Sequence, residues 1–243
     1  MKIIAVSNPK GGCGKTTVIT NLATFLASWG YAVTILDADP QSSSVDWNHA
    51  RLQQELTLIS VVSTDFEGLF LEIARARKSK SRSTVLLIDL PAAFPVEQEL
   101  KLHAIADVML CPFIASPIDV RAMVRHLFRL HKNLQRPNPR LKTAIIMNRA
   151  LINTNIYHSV LKTFVNKIHF PLIGELRETQ NYPKAAAAGK GLIELPLRQV
   201  IKDLVQWKPI LQWLATTLFP ERDVASLPLI DENWMQTKTN KET

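Results

Sequence analysis

Apolar, β-branched runs alternate with amphipathic stretches from the first residues of the chain. Residues 3–7, 33–37, 58–62, 84–89, 108–113 and 143–147, and a weaker run at 171–174, read as strands. Most lack polar alternation, as strands covered on both faces do. Between them the spacing of apolar positions predicts helices over 15–29, 43–54, 66–78, 96–105, 120–134 and 156–167, with Gly30 placed to cap the first. Strand, helix, strand in repeated order implies parallel crossovers. The expected fold is therefore α/β, a mostly parallel central sheet with helices on both faces.

A last helical stretch over 197–219 puts Ile201, Leu204, Val205, Leu211, Leu214, Ala215 and Leu218 near one face, which should pack on the sheet. Pro209 is expected to kink or split it. Beyond Pro220 the chain turns polar, with Arg222, Lys238 and Lys241 against Glu221, Asp223, Asp231, Glu232 and Glu242. One domain over 1–219 is expected, followed by a tail over 220–243 without fixed structure apart from a contact at Trp234-Met235.

With 47% hydrophobic and 21% charged residues in 243, the composition excludes a disordered, collagenous or disulfide-stapled chain. Two cysteines, Cys13 and Cys111, suit a reducing compartment and are too few for a four-cysteine metal site. The opening apolar stretch is too short for a secretory signal and no 18 apolar residues run together, so a cytoplasmic protein without a membrane anchor is expected.

The net charge of +8 is unevenly placed. No Asp or Glu occurs between Val120 and Gly174, a segment holding ten basic residues: Arg121, Arg125, Arg129, Lys132, Arg136, Arg140, Lys142, Arg149, Lys162 and Lys167. The rest of the chain, 19 basic against 21 acidic, carries −2. A shorter acid-free run spans 75–82. Arg121, Arg125 and Arg129 repeat at i, i+4, i+8 and line one side of a helix, as a phosphate-tracking stripe should.

Directly after the first predicted strand comes Asn8-Pro9-Lys10-Gly11-Gly12-Cys13-Gly14-Lys15-Thr16-Thr17, leading into a helix. Glycines let the backbone fold so that its N–H groups and the helix N-terminus point at phosphates, Lys15 supplies a point charge, and Thr16 can hold Mg2+. The usual phosphate loop has glycine where this chain has Pro9. The run from Lys10 to Thr16 resembles the deviant Walker A loop of the ParA/MinD family of ATPases, and the resemblance extends over roughly residues 1–219. Asn21-Leu22-Ala23 and Ile35-Leu36-Asp37-Ala38-Asp39-Pro40-Gln41 resemble the family's first helix and the acidic motif after its second strand. Val85-Leu86-Leu87-Ile88-Asp89-Leu90-Pro91 resembles its Walker B and switch segment, with Ala92 where many relatives differ. Met147-Asn148-Arg149 resembles the adenine-recognising segment, and Tyr182 to Lys190 the segment near the nucleotide and partner surface.

The resemblance implies roles. Gly11, Gly12, Cys13, Gly14, Lys15, Thr16, Thr17 and Asn148 would bind ATP, and Thr16, Asp37 and Asp89 the Mg2+. Asp39 would orient the attacking water. Lys10 would reach the neighbour's ATP across a homodimer formed in the ATP state, so Lys10, Lys15 and Asp39 are the implied catalytic set. Within the family, the acidic, proline-broken C-terminus disfavours a MinD-like membrane helix, and the two cysteines disfavour a nitrogenase-type cluster. What remains is close to the short, ParF-like partition ATPases without an N-terminal helix-turn-helix domain. These bind DNA without sequence preference when ATP-bound, for which Arg121, Arg125, Arg129, Lys184 and Lys190 are the candidates here. A small centromere-binding partner would stimulate hydrolysis and release the protein from the nucleoid. Positioning of a protein cargo through an adaptor, such as a carboxysome or chemotaxis cluster, remains open, as does a metabolic phosphate-loop enzyme.

Overall fold

The computed structural model describes residues 1–78, 84–92, 94–133 and 138–220, with backbone only for 130–133. The apolar runs form β1 (Lys2–Val6), β2 (Ala32–Asp37), β3 (Ser60–Ser63), β4 (Thr84–Asp89), β5 (Val108–Ile114), β6 (Lys142–Ala150) and β7 (Leu172–Arg177). All pair in parallel in one sheet of order β3-β2-β4-β1-β5-β6-β7. The connecting helices are α1 (Lys15–Ser28), α2 (Ser43–Leu52), α3 (Phe66–Lys78), α4 (Val96–His103), α5 (Pro117–Asn133), α6 (Asn155–Thr163), α7 (Asn181–Ala187) and α8 (Leu197–Leu218).

The two-residue period of the strands sorts the core. Ile4, Val6, Leu87 and Leu110 point to one side, where α1, α2, α7 and α8 cover them. Ile3, Ala5, Leu86, Ile88 and Met109 point to the other, beneath α3, α4, α5 and α6. β1 lies between β4 and β5, so the loop after β1 emerges at the carboxyl edge in the middle of the sheet. Open α/β sheets place their ligands in this crevice.

Several boundaries differ from expectation. α5 begins three residues early because Pro117 takes the first helical position and Ser116 Oγ accepts the Asp119 N–H at 3.2 Å. α6 stops at Thr163, and Val165–Lys167 forms a 3-10 turn. β6 and β7 run beyond the predicted 143–147 and 171–174, since each is held by its neighbour in the sheet.

α8 is one uninterrupted helix despite Pro209. Pro209 and Val205, whose carbonyl the missing N–H would have reached, both face solvent, so water can take the place of the lost bond. Meanwhile Trp207, Ile210 and Leu211 are buried on either side of the proline and hold the helix to the sheet. For the same reason the expected face needs correcting: Ile201 and Val205 are 37% and 50% exposed, and Val200, Trp207 and Ile210 occupy the core instead. Gly174 on β7 permits this docking, because a Cβ there would lie 2.3 Å from Ile210 Cγ1.

Residues 79–83, Arg136 and 221–243 fall outside the described residues, so the end of the basic run over 75–82, one basic residue of the 120–174 segment and the expected tail lie there. Among the described residues no helix is long and apolar enough to cross a membrane.

Candidate nucleotide-binding site

The chain leaves β1 through Ser7 and Asn8, both buried. Asn8 Nδ2 donates to the Pro112 carbonyl on β5 at 2.6 Å, and its Oδ1 accepts the Lys10 N–H at 2.8 Å. One amide thus ties the loop to the neighbouring strand and starts its turn. Gly12 and Gly14 take positive φ of 75° and 92°, and α1 begins at Lys15 with no acidic residue in its first turn. The partial positive charge of that helix end is unopposed by its own side chains. At Gly14 a Cβ would sit 1.9 Å from Asn148 Nδ2, so both backbone angle and neighbour require glycine.

Lys15 is only 7% exposed. Its Nζ donates to the Asn8 and Lys10 carbonyls at 3.3 and 3.2 Å, folding the side chain over the inside of the loop. Lys10 is half-buried, and Cys13 is buried with its Sγ donating to the Lys10 carbonyl at 3.4 Å. Burial raises the Cys13 thiol above its usual range despite Lys15 nearby, so it acts as packing within the loop rather than as a nucleophile.

Asp89, at the end of β4, accepts the hydroxyls of Thr16 and Ser44 at Oδ2, each at 2.8 Å. Its Oδ1 is buried without a hydrogen-bond partner, and burial pushes the carboxyl up to about 7. A buried acceptor left open in this way suits the water shell of a hard cation, whose charge would also offset the cost of holding a carboxylate there. No three His, Cys, Asp or Glu among the described residues are grouped to hold a metal by themselves.

Asp37 is the register partner of Asp89 across β2 and β4. Its Oδ1 accepts the Asp39 N–H at 3.1 Å, and its Oδ2 accepts those of Ser44 and Val45 at 3.0 and 3.2 Å. Burial nevertheless raises its carboxyl. Asp37 therefore shapes the turn and the start of α2, and through Ser44 it sets the second hydroxyl on Asp89. Asp39 is half-buried, accepts the Gln41 N–H at 3.0 Å, and lines a cleft of about 540 Å³ with Gly11, Gly12, Lys15, Thr16 and Pro91.

Asn148, on β6, donates from Nδ2 to the Cys13 carbonyl at 2.9 Å and accepts the Arg149 N–H at 3.0 Å. It braces the loop and also borders a hollow of about 170 Å³ walled by Thr17, Arg177, Gln180 and Tyr182. Arg149 has a left-handed φ of 51°, is exposed, and lines both this hollow and the main cleft.

The proposed DNA residues do not share one layer. Arg121, Arg125 and Arg129 are exposed on α5, and the last two edge a hollow of about 380 Å³ with Phe128 and with Pro9 of the loop. Lys184 on α7 and Lys190, whose carbonyl accepts the Trp47 Nε1–H at 3.1 Å, belong to the opposite layer of the sheet. Sequence reasoning missed Asn8 as the loop anchor, Ser44 as a partner of Asp89 and Arg149 as a cleft residue. Asn8 is flagged by its place between strand and loop, whereas Ser44 is one of three consecutive serines and carries no signal of its own.

Residues 4–193 match the family described as the CobQ/CobB/MinD/ParA nucleotide binding domain. The chain is 25% identical over 199 residues to the maintenance of carboxysome distribution protein A of Halothiobacillus neapolitanus, a match spanning 80% of this chain and 88% of that protein. A stretch of 63 residues is 43% identical to the chromosome partitioning protein ParA of Caulobacter vibrioides, covering 26% of this chain and 24% of that one. A solved ATP complex of an McdA variant from Cyanothece superposes with a TM-score of 0.65 at 19% identity, covering 90% of this chain and 96% of that one. At that identity the likeness speaks for the fold.

Proposed function

Since the chain belongs to the CobQ/CobB/MinD/ParA family of nucleotide-binding domains, we propose that it is a Mg2+-dependent ATPase that pairs with a second copy when ATP-loaded, binds DNA without sequence preference in that state, and uses the cycle to move a cargo. The observation that carries this reading is the convergence of Lys15, Thr16 and Asp39 on one cleft, with Asp89 bonded to Thr16 and arginines of α5 beside the same loop.

Each residue has a task its geometry suits. The loop N–H groups and Lys15 hold the phosphates, with Lys15 turning from the Asn8 and Lys10 carbonyls toward them. Thr16 and Asp89 hold Mg2+, which when bound neutralises charge gathering on the phosphate oxygens. Asp39 orients the attacking water, and Asn148 holds the loop and borders the base. Lys10 extends to the second copy. Phosphoryl transfer asks chiefly for this positioning and charge neutralisation.

Retention on non-specific duplex DNA with ATP, ADP or no nucleotide tests the reading. Wild type should be retained with ATP alone. Lys10→Ala should bind ATP but lose dimer and retention, and Asp39→Ala should stay dimeric without turnover. Retention that ignores nucleotide would overturn the cycle.

The cargo has two forms. Segregation of a plasmid or chromosome through a small centromere-binding partner is one. The other is positioning of a protein assembly on the nucleoid through an adaptor, and the long match to a carboxysome distribution protein favours weighing it equally. ATP turnover stimulated by a small DNA-binding partner only with its cognate DNA present would favour the first.

A further inference from the structure

Beneath the phosphate loop lies a polar contact that none of the roles above uses. Ser7, at the root of the loop, donates its hydroxyl to Glu99 Oε1, and the same Oγ lies 3.3 Å from His126 Nε2. His126 Nε2 is in turn 3.4 Å from Glu99 Oε1. The three side chains are 3%, 3% and 2% exposed, and each comes from a different part of the fold. Ser7 directly precedes the loop anchor Asn8. Glu99 sits on α4, the helix following Asp89 and Pro91. His126 sits on α5, flanked by Arg125 and Arg129.

We infer that this contact is a relay through which the state of the phosphate loop sets the position of α5, with Glu99 and His126 as its positioning residues. It rests on the reading above, that nucleotide binding governs DNA binding, and names how the one reaches the other. Three polar groups at a core position cost desolvation unless they satisfy one another, and a network satisfied in one arrangement is costly in another. Such a contact resists gradual deformation and gives the loop, α4 and α5 a shared geometry. Displacement of Ser7 by a change in the loop, or of Glu99 by movement of the segment after Asp89, breaks a bond that His126 feels within the same few ångströms. α5 carries that change outward to Arg125 and Arg129.

Burial, against the pull of Ser7 and Arg129 on Glu99, pushes the centre of the contact toward neutrality. Glu99 faces Ser7 from the root of the loop, His126 and Arg129 from α5, and Cys111 from β5, while His126 also faces His103 from α4. Burial raises Glu99 to about 7 and lowers His126 to about 4, so near neutrality the proton resides on the carboxyl group or leaves it for solvent. Ionised Glu99 is the stronger acceptor for the Ser7 hydroxyl, so the relay should strengthen as the pH rises through that value.

Hydrogen exchange of the α5 amides, with and without Mg-ATP, tests the relay without requiring DNA. In wild type, ATP should change α5 protection by about tenfold, the span of a local opening energy of about 1.4 kcal/mol. Glu99→Leu should bind ATP within about threefold of wild type yet lose that change, and Ser7→Ala, a smaller truncation, should do the same if Glu99→Leu fails to fold. Glu99→Gln keeps an acceptor for Ser7 and should retain the response while losing its difference between about pH 6 and pH 8. An α5 that ignores ATP in wild type, or that responds fully in Glu99→Leu or in Ser7→Ala, overturns the relay. If α5 responds but DNA retention ignores ATP, the relay stands and the DNA reading falls.

Discussion

On one side of the sheet α1, α2, α7 and α8 bury Trp29, Trp47, Trp207 and Phe219, and the charge admitted there is fully answered. Arg51, 2% exposed at its side chain, pairs with both oxygens of Glu194 at 2.7 and 2.8 Å, donates to the Thr57 and Gly189 carbonyls, and lies 5.2 Å over the Trp47 ring. On the other side α3 to α6 bury His103 with both ring nitrogens unpartnered, bury Glu99 with His126, and leave Ile118, Val124 and Phe128 at 60%, 44% and 64% exposure. The first layer holds the sheet; the second carries strained polar groups and uncovered apolar ones beside the nucleotide loop. A fold can place its reserve of stability on one face of a sheet and its responsive parts on the other, because alternating side chains keep the two cores separate.

The comparison breaks most easily at Arg51. Arg51→Met should cost about 3–5 kcal/mol in denaturant unfolding, since it leaves Glu194 unpaired and two carbonyls unmet. A loss below about 1 kcal/mol would mean that the first layer does not depend on its ion pair.

Next in size is His103, whose imidazole burial lowers to about 4. Above pH 6.5 it is neutral folded or unfolded. As the pH falls from 6.5 toward 4 only the unfolded chain takes up the proton, so stability is lost, by about 3 kcal/mol at 1.36 kcal/mol per unit. His126 acts in the same direction, while Asp89 and Glu99, raised to about 7, favour the fold as the pH falls from 7 toward 4. His103→Leu should therefore be more acid-stable than wild type when both are melted across that range. Parallel acid profiles would remove His103 from the list of strained groups.

Gly174→Ala is the mildest change. With the new methyl 2.3 Å from Ile210 Cγ1, the tightly packed first layer should lose about 1–3 kcal/mol, read as a lowered melting temperature. If α8 simply moves aside at no cost, that layer is looser than its burial implies.

The sheet, the loop and the acidic strand ends were legible because each depends on local pattern. Apolar runs mark doubly covered strands, and glycines spaced around Lys15 mark a loop that needs positive φ at Gly12 and Gly14. The outward face of α8 was misread at Ile201 and Val205 because periodicity does not tell which side of a long apolar helix meets the sheet. Asp37 shows another limit. Its place at a strand end was plain, but its engagement with the N–H groups of Asp39, Ser44 and Val45 depends on the turn that follows. Ser7, Glu99 and His126 lie 92 and 119 residues apart from the first to each of the others, and no spacing rule joins them.

Pro112 sits within β5, an interior strand, where a proline has no N–H to give. Its carbonyl meets Asn8 just past the point where β1 leaves the ladder at the bond from Ser7 N–H to the Leu110 carbonyl. The missing donor thus falls where no partner strand remains. During folding, a β1 that slipped two residues along β5 would keep its faces correct but would demand a donor from Pro112. That misaligned pairing is closed off, and the chain has one start point for its turn into the loop.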